Sequence, residues 1–279
     1  MIGTVTLADG TAVAALGQGT WRMGEDHRLR KHEAGALRLG MDLGMTLIDT
    51  AEMYADGGAE GVVAEALTGR RDEAFVVSKV VPGNASRRGV AASCEASLRR
   101  LGIETIDLYL LHWPGRTPIA ETIEAFEALR ADGKIARWGV SNFDVKGLGR
   151  MGAAQNGGGC ATDQVLYNLQ ARGIEFDLLP WCAANKMPVM AYSPVGQGGL
   201  LLKEAALLAV AKRHQATPAQ IATAWTLRLP GVISIPKASD PDHVRENAAA
   251  ATLRLTEQDL AELDAAFPPP GRAERLKML

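Results

Sequence analysis

A carboxylate, an ammonium and an imidazole stand at the ends of short apolar runs in this chain. Leu47-Ile48 runs into Asp49, Val76-Val77-Ser78 into Lys79, and Leu108 to Leu111 into His112, while Tyr54 follows Asp49 by five residues. A tyrosine titrates near ~10 and is a poor acid at neutral pH unless its surroundings change that. A neighbouring ammonium favours the phenolate and is expected to lower the value. Lys79 can supply that charge, Asp49 can pair with Lys79 and keep it charged, and His112 can hydrogen-bond a substrate oxygen beside Tyr54. The set reads as a general acid with its tuning groups. Each member alone has a plainer reading: a structural ion pair for Asp49 and Lys79, a core histidine, a loop aromatic. Glu52 is the competing ionisable group and is read as supporting or solvated near a rim.

These residues need elements that bring them together. Val5 to Leu7, Ala8-Asp9-Gly10 and Val13 read as a short hairpin, because Asp-Gly is a strong turn signal. Eight strand-length apolar runs follow: residues 15–20, 46–49, 75–79, 106–112, 135–140, 160–165, 188–193 and 232–236. Helical spacing lies between them, as in Ala34, Leu37 and Met41, in Val90, Cys94, Leu98 and Leu101, and in Ile119, Ile123 and Phe126. Thr217-Pro218 reads as an N-cap with proline at the first helical position, and Thr256 with Asp259 as a capping box opening a late helix. Strand–helix alternation implies parallel strands, and eight such units close into a barrel. The expected fold is a single (β/α)8 TIM barrel over residues 1–279, with an N-terminal β-hairpin and an extra C-terminal helix. An open doubly wound sheet is the runner-up. In a barrel the reactive groups gather at the C-terminal ends of the strands. Seven successive runs end there in polar residues: Asp49, Lys79, His112, Ser141-Asn142, Gln164, Tyr192-Ser193 and Lys237.

Composition narrows the classes. The 279 residues match the roughly 250 that such a barrel needs. A hydrophobic share of 47% supplies a substantial core, and a net charge of −2 without a basic run gives no reason to expect nucleic acid or membrane partners. Cys94, Cys160 and Cys182 are odd in number and widely spaced, which argues against a disulfide framework or a metal site and for a reducing compartment. Neither a signal peptide nor a membrane span is expected, so the cytoplasm is the default. Nothing demands an oligomer, and a monomer is expected.

The chain resembles the aldo-keto reductase superfamily. The resemblance rests on Gly17-Gln-Gly-Thr-Trp21, Leu47-Ile-Asp-Thr-Ala-Glu-Met-Tyr54, Val77-Ser-Lys79, Leu108-Tyr-Leu-Leu-His-Trp113 and Trp138-Gly-Val-Ser-Asn-Phe143. It continues through Gln164-Val-Leu-Tyr-Asn168, Ala191-Tyr-Ser-Pro194, Ile235-Pro-Lys237 and Glu246-Asn247, in the family's order over nearly the whole chain. Within the family it is most similar to bacterial reductases of methylglyoxal and related small carbonyls. The resemblance implies a catalytic tetrad of Asp49, Tyr54, Lys79 and His112, with NADP(H) extended across the barrel mouth and NAD(H) the lesser alternative. It implies that Ser141, Asn142 and Gln164 hold the nicotinamide carboxamide and that Tyr192 stacks on the ring. Ser193, Val195 and Gln197 would approach the pyrophosphate. Gly19, Thr20, Trp21, Lys237, Ala238, Ser239, His243, Glu246 and Asn247 would complete the cofactor site. Trp21 and Trp113 would wall the substrate pocket beside Tyr54 and His112.

Three further features bear on the cofactor and the pocket. Gly17-x-Gly19 lacks a third glycine and is followed by Trp21, so it is a poor Rossmann fingerprint, which agrees with cofactor binding on the barrel itself. His243 stands where many members carry arginine, the better phosphate fork, leaving Lys237 and Arg245 as the cations for a 2′-phosphate. A short loop after Tyr192 and a brief tail after Pro270 suggest an open pocket and broad substrates. The expected function is NADPH-dependent reduction of aldehydes and ketones, small aldehydes such as methylglyoxal included, with Tyr54 as proton donor. The alternatives are a cofactor-binding regulatory barrel without significant turnover, a glycosidase using Asp49 with Glu52, and a dehydrogenase running the same chemistry in reverse.

Overall fold

The structure, a computed structural model, describes residues 2–279. A hairpin of β1 (Thr4–Thr6) and β2 (Ala12–Ala14) precedes eight strands that form one parallel sheet in chain order. These are β3 (Gln18–Gly19), β4 (Leu47–Asp49), β5 (Phe75–Val80), β6 (Leu108–Leu111), β7 (Trp138–Ser141), β8 (Cys160–Leu166), β9 (Val189–Tyr192) and β10 (Val232–Ile235). Parallel bridges Leu16–Ser234 and Gly19–Lys237 join the first strand to the last and close the barrel. The outer helices are α1 (Arg30–Asp42), α2 (Gly58–Leu67), α3 (Arg87–Leu101), α4 (Ile119–Ala131), α5 (Val145–Gly152) and α6 (Leu178–Ala184). They continue with α7 (Ala205–Arg213), α8 (Pro218–Thr226), α9 (Pro241–Ala250) and α10 (Glu257–Ala266). The barrel, the hairpin and the late helix stand as expected. None of the helices among the described residues is long and apolar enough to cross a membrane.

Strand periodicity divides the side chains between two cores. Leu47, Val77, Leu108, Leu110, Met190 and Ile233 fill the barrel interior, where Val5, Leu7 and Val13 of the hairpin plug its lower end. Ile48, Val76, Tyr109 and Leu111 face the opposite way, into the layer between sheet and helices. Because strand side chains alternate, Asp49, Lys79 and His112 share the interior parity of Leu47, Val77 and Leu110. The apolar stack fills the lower barrel and these polar residues crown it.

Two details differ from the sequence expectation. The first strand is two residues with an isolated bridge at Leu16 rather than the full 15–20 run, and the fifth begins at Trp138, with Ile135 making only a bridge to Ile106. At the closing seam a Cβ on Gly19 would lie 2.9 Å from the Ile235 carbonyl oxygen, and one on Gly17 would meet Leu47 at 2.7 Å. The Gly-x-Gly pair therefore serves the close approach of strands and not a phosphate turn. In β8 the register slips by one residue, Trp138 pairing with Cys160 and Val140 with Asp163. This bulge turns Gln164 inward although Ala161, three residues before it, also faces the interior.

Beyond the barrel, α7 and α10 are joined by Asp259. Its carboxylate is fully buried, meets Arg213 and His214, and closes the capping box with Thr256. Burial opposes ionisation there, yet the hydrogen bonds from His214, Thr256 and Arg213 hold the carboxyl well below its ordinary value. A depressed carboxyl contributes stability above its unfolded pKa of ~3.9 and loses it as pH falls through the folded value. Asp259→Asn is therefore expected to lower the thermal midpoint at pH 7, with a smaller penalty at pH 3, as scanning calorimetry at the two pH values would show.

Candidate active site

The site is built around a buried cation. The Lys79 side chain has 0% exposure and its Asp49 partner 3%. Lys79 Nζ donates to Asp49 Oδ2 at 2.8 Å and to the Thr50 carbonyl at 2.8 Å, and lies 3.2 Å from the Tyr54 hydroxyl. All three donor directions of the ammonium are thus used, one of them on the phenol. Asp49 Oδ1 in turn accepts from Gln164 Nε2 at 2.7 Å, and Thr20 Oγ1 donates to the Asp49 carbonyl at 3.0 Å. Adjacent strands β4 and β5 carry Asp49 and Lys79, and the turn after β4 folds Tyr54 back over them.

Burial tends to lower the Lys79 value, but Asp49 and Tyr54 overcome it and the ammonium is held above its ordinary pKa. For Tyr54 burial is the largest influence and raises the pKa, Lys79 pulls it down, Asp49 pushes it up, and the net direction is upward. This corrects the expectation of a lowered phenol. Lys79 acts in the anticipated sense, but the low-dielectric pocket outweighs it. The phenol consequently stays protonated through neutral pH and holds a proton to give. His112 forms an edge contact with Tyr54 at 5.7 Å between ring centroids and a tilted one with Trp113 at 4.9 Å. Burial first, and then Lys79, push its imidazole down to about 2, so it is neutral. Its Nδ1 is buried without a partner.

Ser141, Asn142, Gln164 and Tyr192 meet beside this group, Gln164 already touching Asp49. Ser141 Oγ donates to the Gln164 carbonyl at 2.8 Å, and Asn142 Nδ2 donates to the His112 carbonyl at 3.1 Å. The Tyr192 hydroxyl donates to Asn142 Oδ1 at 3.0 Å. Asn142 adopts φ +63, which presents its amide inward from the strand end. A flat carboxamide requires both donors and acceptors at short range, and this set supplies them beside a phenol face. The donor chemistry fits a nicotinamide. Past Tyr192, Ser193 and Gln197 are left-handed at φ +50 and +60, and Ser193 is held by Asn168 Nδ2 at 2.9 Å from its carbonyl. Val195 packs on the outer core, while Gly198 at φ +70 has open space around it, so the loop backbone can approach a pyrophosphate.

The remaining expected cofactor residues are spread along the seam. Gly19 bridges Lys237, Thr20 is buried, and Trp21 is exposed with Arg22 over its ring at 4.5 Å. Exposed Lys237 donates to Ser239 Oγ at 3.0 Å, and Ala238 packs partly against the core. His243 is exposed at the start of α9, where its backbone N–H reaches the Asp240 cap. Arg245 is paired with Asp242 at 2.7 Å, Glu246 faces Thr217 of the neighbouring helix, and Asn247 is buried. Lys237 and His243 are exposed and Ser239 is half-buried beside Lys237, whereas Arg245 is held in an exposed pair with Asp242 and half-buried Glu246 accepts from Thr217. Glu52 accepts from Val81 N at 2.8 Å and Asn84 Nδ2 at 3.2 Å. Supporting that turn occupies it, and with Asp49 paired to Lys79 no couple of free carboxyls remains for glycoside chemistry.

From the sequence, Gln164 is placed only with the nicotinamide, and two further contributors go unread. Gln164 orients Asp49, a role concealed by the bulge in β8. Asp240 caps α9, for which Asp-Pro before a helical run is a legible signal. The C-terminal tail, expected to leave the pocket open by its brevity, turns back over the mouth. Glu274, Arg275, Leu276 and Lys277 line a groove with Asp144, Val145 and Leu166, and although burial pushes the Tyr192 phenol up to about 12, a hydrogen bond from the Leu279 backbone amide partly offsets it. Extended chain spans about 3.3 Å per residue, so even a short tail reaches that far. Trp21 and Met53 remain exposed on the other side of the mouth.

Known proteins resemble this chain in sequence and in fold. The aldo/keto reductase family model matches residues 15–267. The methylglyoxal reductase YeaE of Escherichia coli is 52% identical over 272 residues, covering 96% of each chain. A glyoxal reductase of Bacillus subtilis is 31% identical over 273 residues, covering 94% of this chain and 92% of its own. The crystal structure of an aldo/keto reductase from Klebsiella pneumoniae in complex with NADP and acetate matches with a TM-score of 0.98 at 49% identity, over 100% of both chains. Removing one partner of a buried pair strands the other, at a cost of about 3–5 kcal/mol. Lys79→Met is therefore expected to lower the thermal midpoint sharply in a melting curve, and Lys79→Met/Asp49→Leu to recover much of that loss.

Proposed function

The chain belongs to the aldo/keto reductase family, and from that premise we propose that Tyr54 is the proton donor in its NADPH-dependent reduction of small aldehydes and ketones. The observation that carries this reading is the Lys79 ammonium bonded at once to Asp49 and to the Tyr54 hydroxyl. NADPH supplies the hydride to the carbonyl carbon when bound. Tyr54 donates a hydrogen bond to the carbonyl oxygen and passes its proton there as negative charge develops. Lys79 stabilises the phenolate left behind, and Asp49 keeps Lys79 charged and aimed. His112, neutral at all ordinary pH values, is the second hydrogen-bond donor through its one N–H and orients the oxygen; it carries no imidazolium proton to give at pH 7. The reverse oxidation would use the same groups in the opposite sense.

On this reading Ser141, Asn142 and Gln164 hold the carboxamide, and Tyr192 covers one face of the ring. The 193–199 loop, with Gly19, Thr20 and Trp21 opposite it, receives the pyrophosphate side. Lys237, Ser239 and His243 meet the 2′-phosphate. Histidine is a weaker phosphate partner than arginine. Methylglyoxal and similar small carbonyls suit a pocket walled by Trp21 and Trp113 and narrowed by the tail. Support for that class comes from the methylglyoxal reductase of E. coli at 52% identity. The tetrad comes from one chain, so a monomer suffices, and three buried thiols suit the cytoplasm. A purely regulatory barrel has no use for a buried ammonium aimed at a phenol.

General acid catalysis contributes about 10²–10⁴-fold. Tyr54→Phe is expected to lower kcat for methylglyoxal by at least about 100-fold, with the NADPH Kd unchanged in a fluorescence titration. Wild-type turnover in this variant would exclude the assignment. His243→Arg is expected to tighten NADPH and leave NADH unaltered in the same titration.

A further inference from the structure

Tyr54 is not anchored by a regular element. Ala55 and Asp56, the two residues after it, both adopt φ 50 and ψ 41, and Gly57 follows at φ 86. Two consecutive non-glycine residues in left-handed space are disfavoured because Cβ crowds the following carbonyl. Such a turn persists only where its surroundings over-determine it. Part of that constraint is backbone packing: a Cβ on Gly58 would lie 2.8 Å from the Gly24 carbonyl oxygen. The rest comes from outside the barrel. The Arg100 side chain on α3 lies across Gly57, where a Cβ would fall 2.5 Å from its Cδ and Nε. Arg100 Nε donates to Glu60 Oε2 at 2.5 Å, and Ser78 Oγ donates to Glu60 Oε1 at 2.6 Å. Glu60 stands in the first turn of α2, directly after the left-handed turn, and is fully buried. Ser78 immediately precedes Lys79 and points outward where Lys79 points inward.

One carboxylate therefore ties the segment that carries Tyr54 to the strand that carries Lys79, and Arg100 clamps both. We propose that Arg100, acting through Glu60 and Ser78, is a positioning residue that sets the Lys79–Tyr54 contact. It touches no reacting atom. The proposal rests on Tyr54 being the proton donor only as far as activity is concerned; the placement of the phenol is independent of it.

The test uses Arg100→Gln/Glu60→Gln, which removes the clamp without stranding a buried charge, and Arg100→Lys, which retains a cation. Misplacement by about 1 Å from a distant change can cost about 100-fold in rate. The double variant is expected to fold, to bind NADPH with wild-type Kd, and to lose about 10- to 100-fold in kcat, with Arg100→Lys restoring most of it. An ultraviolet difference titration against Tyr54→Phe reads the phenol directly. Its ionisation is expected to move by about half a pH unit or more as the ammonium shifts away. A folded double variant with unchanged kcat and unchanged phenol titration overturns the proposal, as does a Tm loss alone. If Tyr54→Phe keeps its turnover while the titration still moves, the positioning stands and the proton-donor reading falls.

Discussion

An ammonium that is wholly cut off from solvent has to be compensated where it stands, and most of this molecule's upper barrel is arranged to do that for Lys79. Burial alone would drive the lysine neutral. Asp49 on the adjacent strand, the Thr50 carbonyl and the Tyr54 hydroxyl keep it charged. The apolar stack beneath it excludes water, which strengthens each of those contacts. The same exclusion raises the Tyr54 value and keeps His112 neutral with a single N–H, so two titratable neighbours meet different protonation states in one environment. The protonated phenol can give a proton, and the neutral imidazole can only hold an oxygen.

Much of this was legible in the chain before any coordinates. The strand-length apolar runs ending in Asp49, Lys79 and His112 marked the residues that crown the barrel, and strand parity, visible only in the folded sheet, explains why they point inward. Parity failed where the backbone is irregular. The bulge between Cys160 and Asp163 inverts the face of everything after it, and no residue pattern announces it. The upward direction of the Tyr54 value also escaped the sequence. Listing a cation nearby gives the sign of one influence, whereas the balance depends on burial, which only the packed structure supplies.

Conformations forced by tertiary contact were equally hidden. Nothing in Tyr-Ala-Asp-Gly marks Ala55 and Asp56 as left-handed, since glycine is the residue expected there. The tail after Pro270 looked too short to matter, yet it lies along the 144–178 side of the mouth. Its length was readable and its direction was not. Ser141, Asn142, Gln164 and Tyr192, which the resemblance groups at one end of the cofactor, do converge. The outer seam is less uniform, with Arg245 drawn to Asp242 and Glu246 to Thr217. The resemblance to reductases pointed to these residues, and the packed barrel gives the physical reason for their protonation states.

The central claim is that a phenol of raised pKa, and not the imidazole, gives the proton. The pH profile of single-turnover carbonyl reduction at saturating NADPH tests it most directly. The account predicts a rate that is level from pH 5 to 8 and falls through one ionisation above the ordinary tyrosine value of ~10. An inflection between pH 5 and 8 of the kind a titrating histidine produces would contradict it.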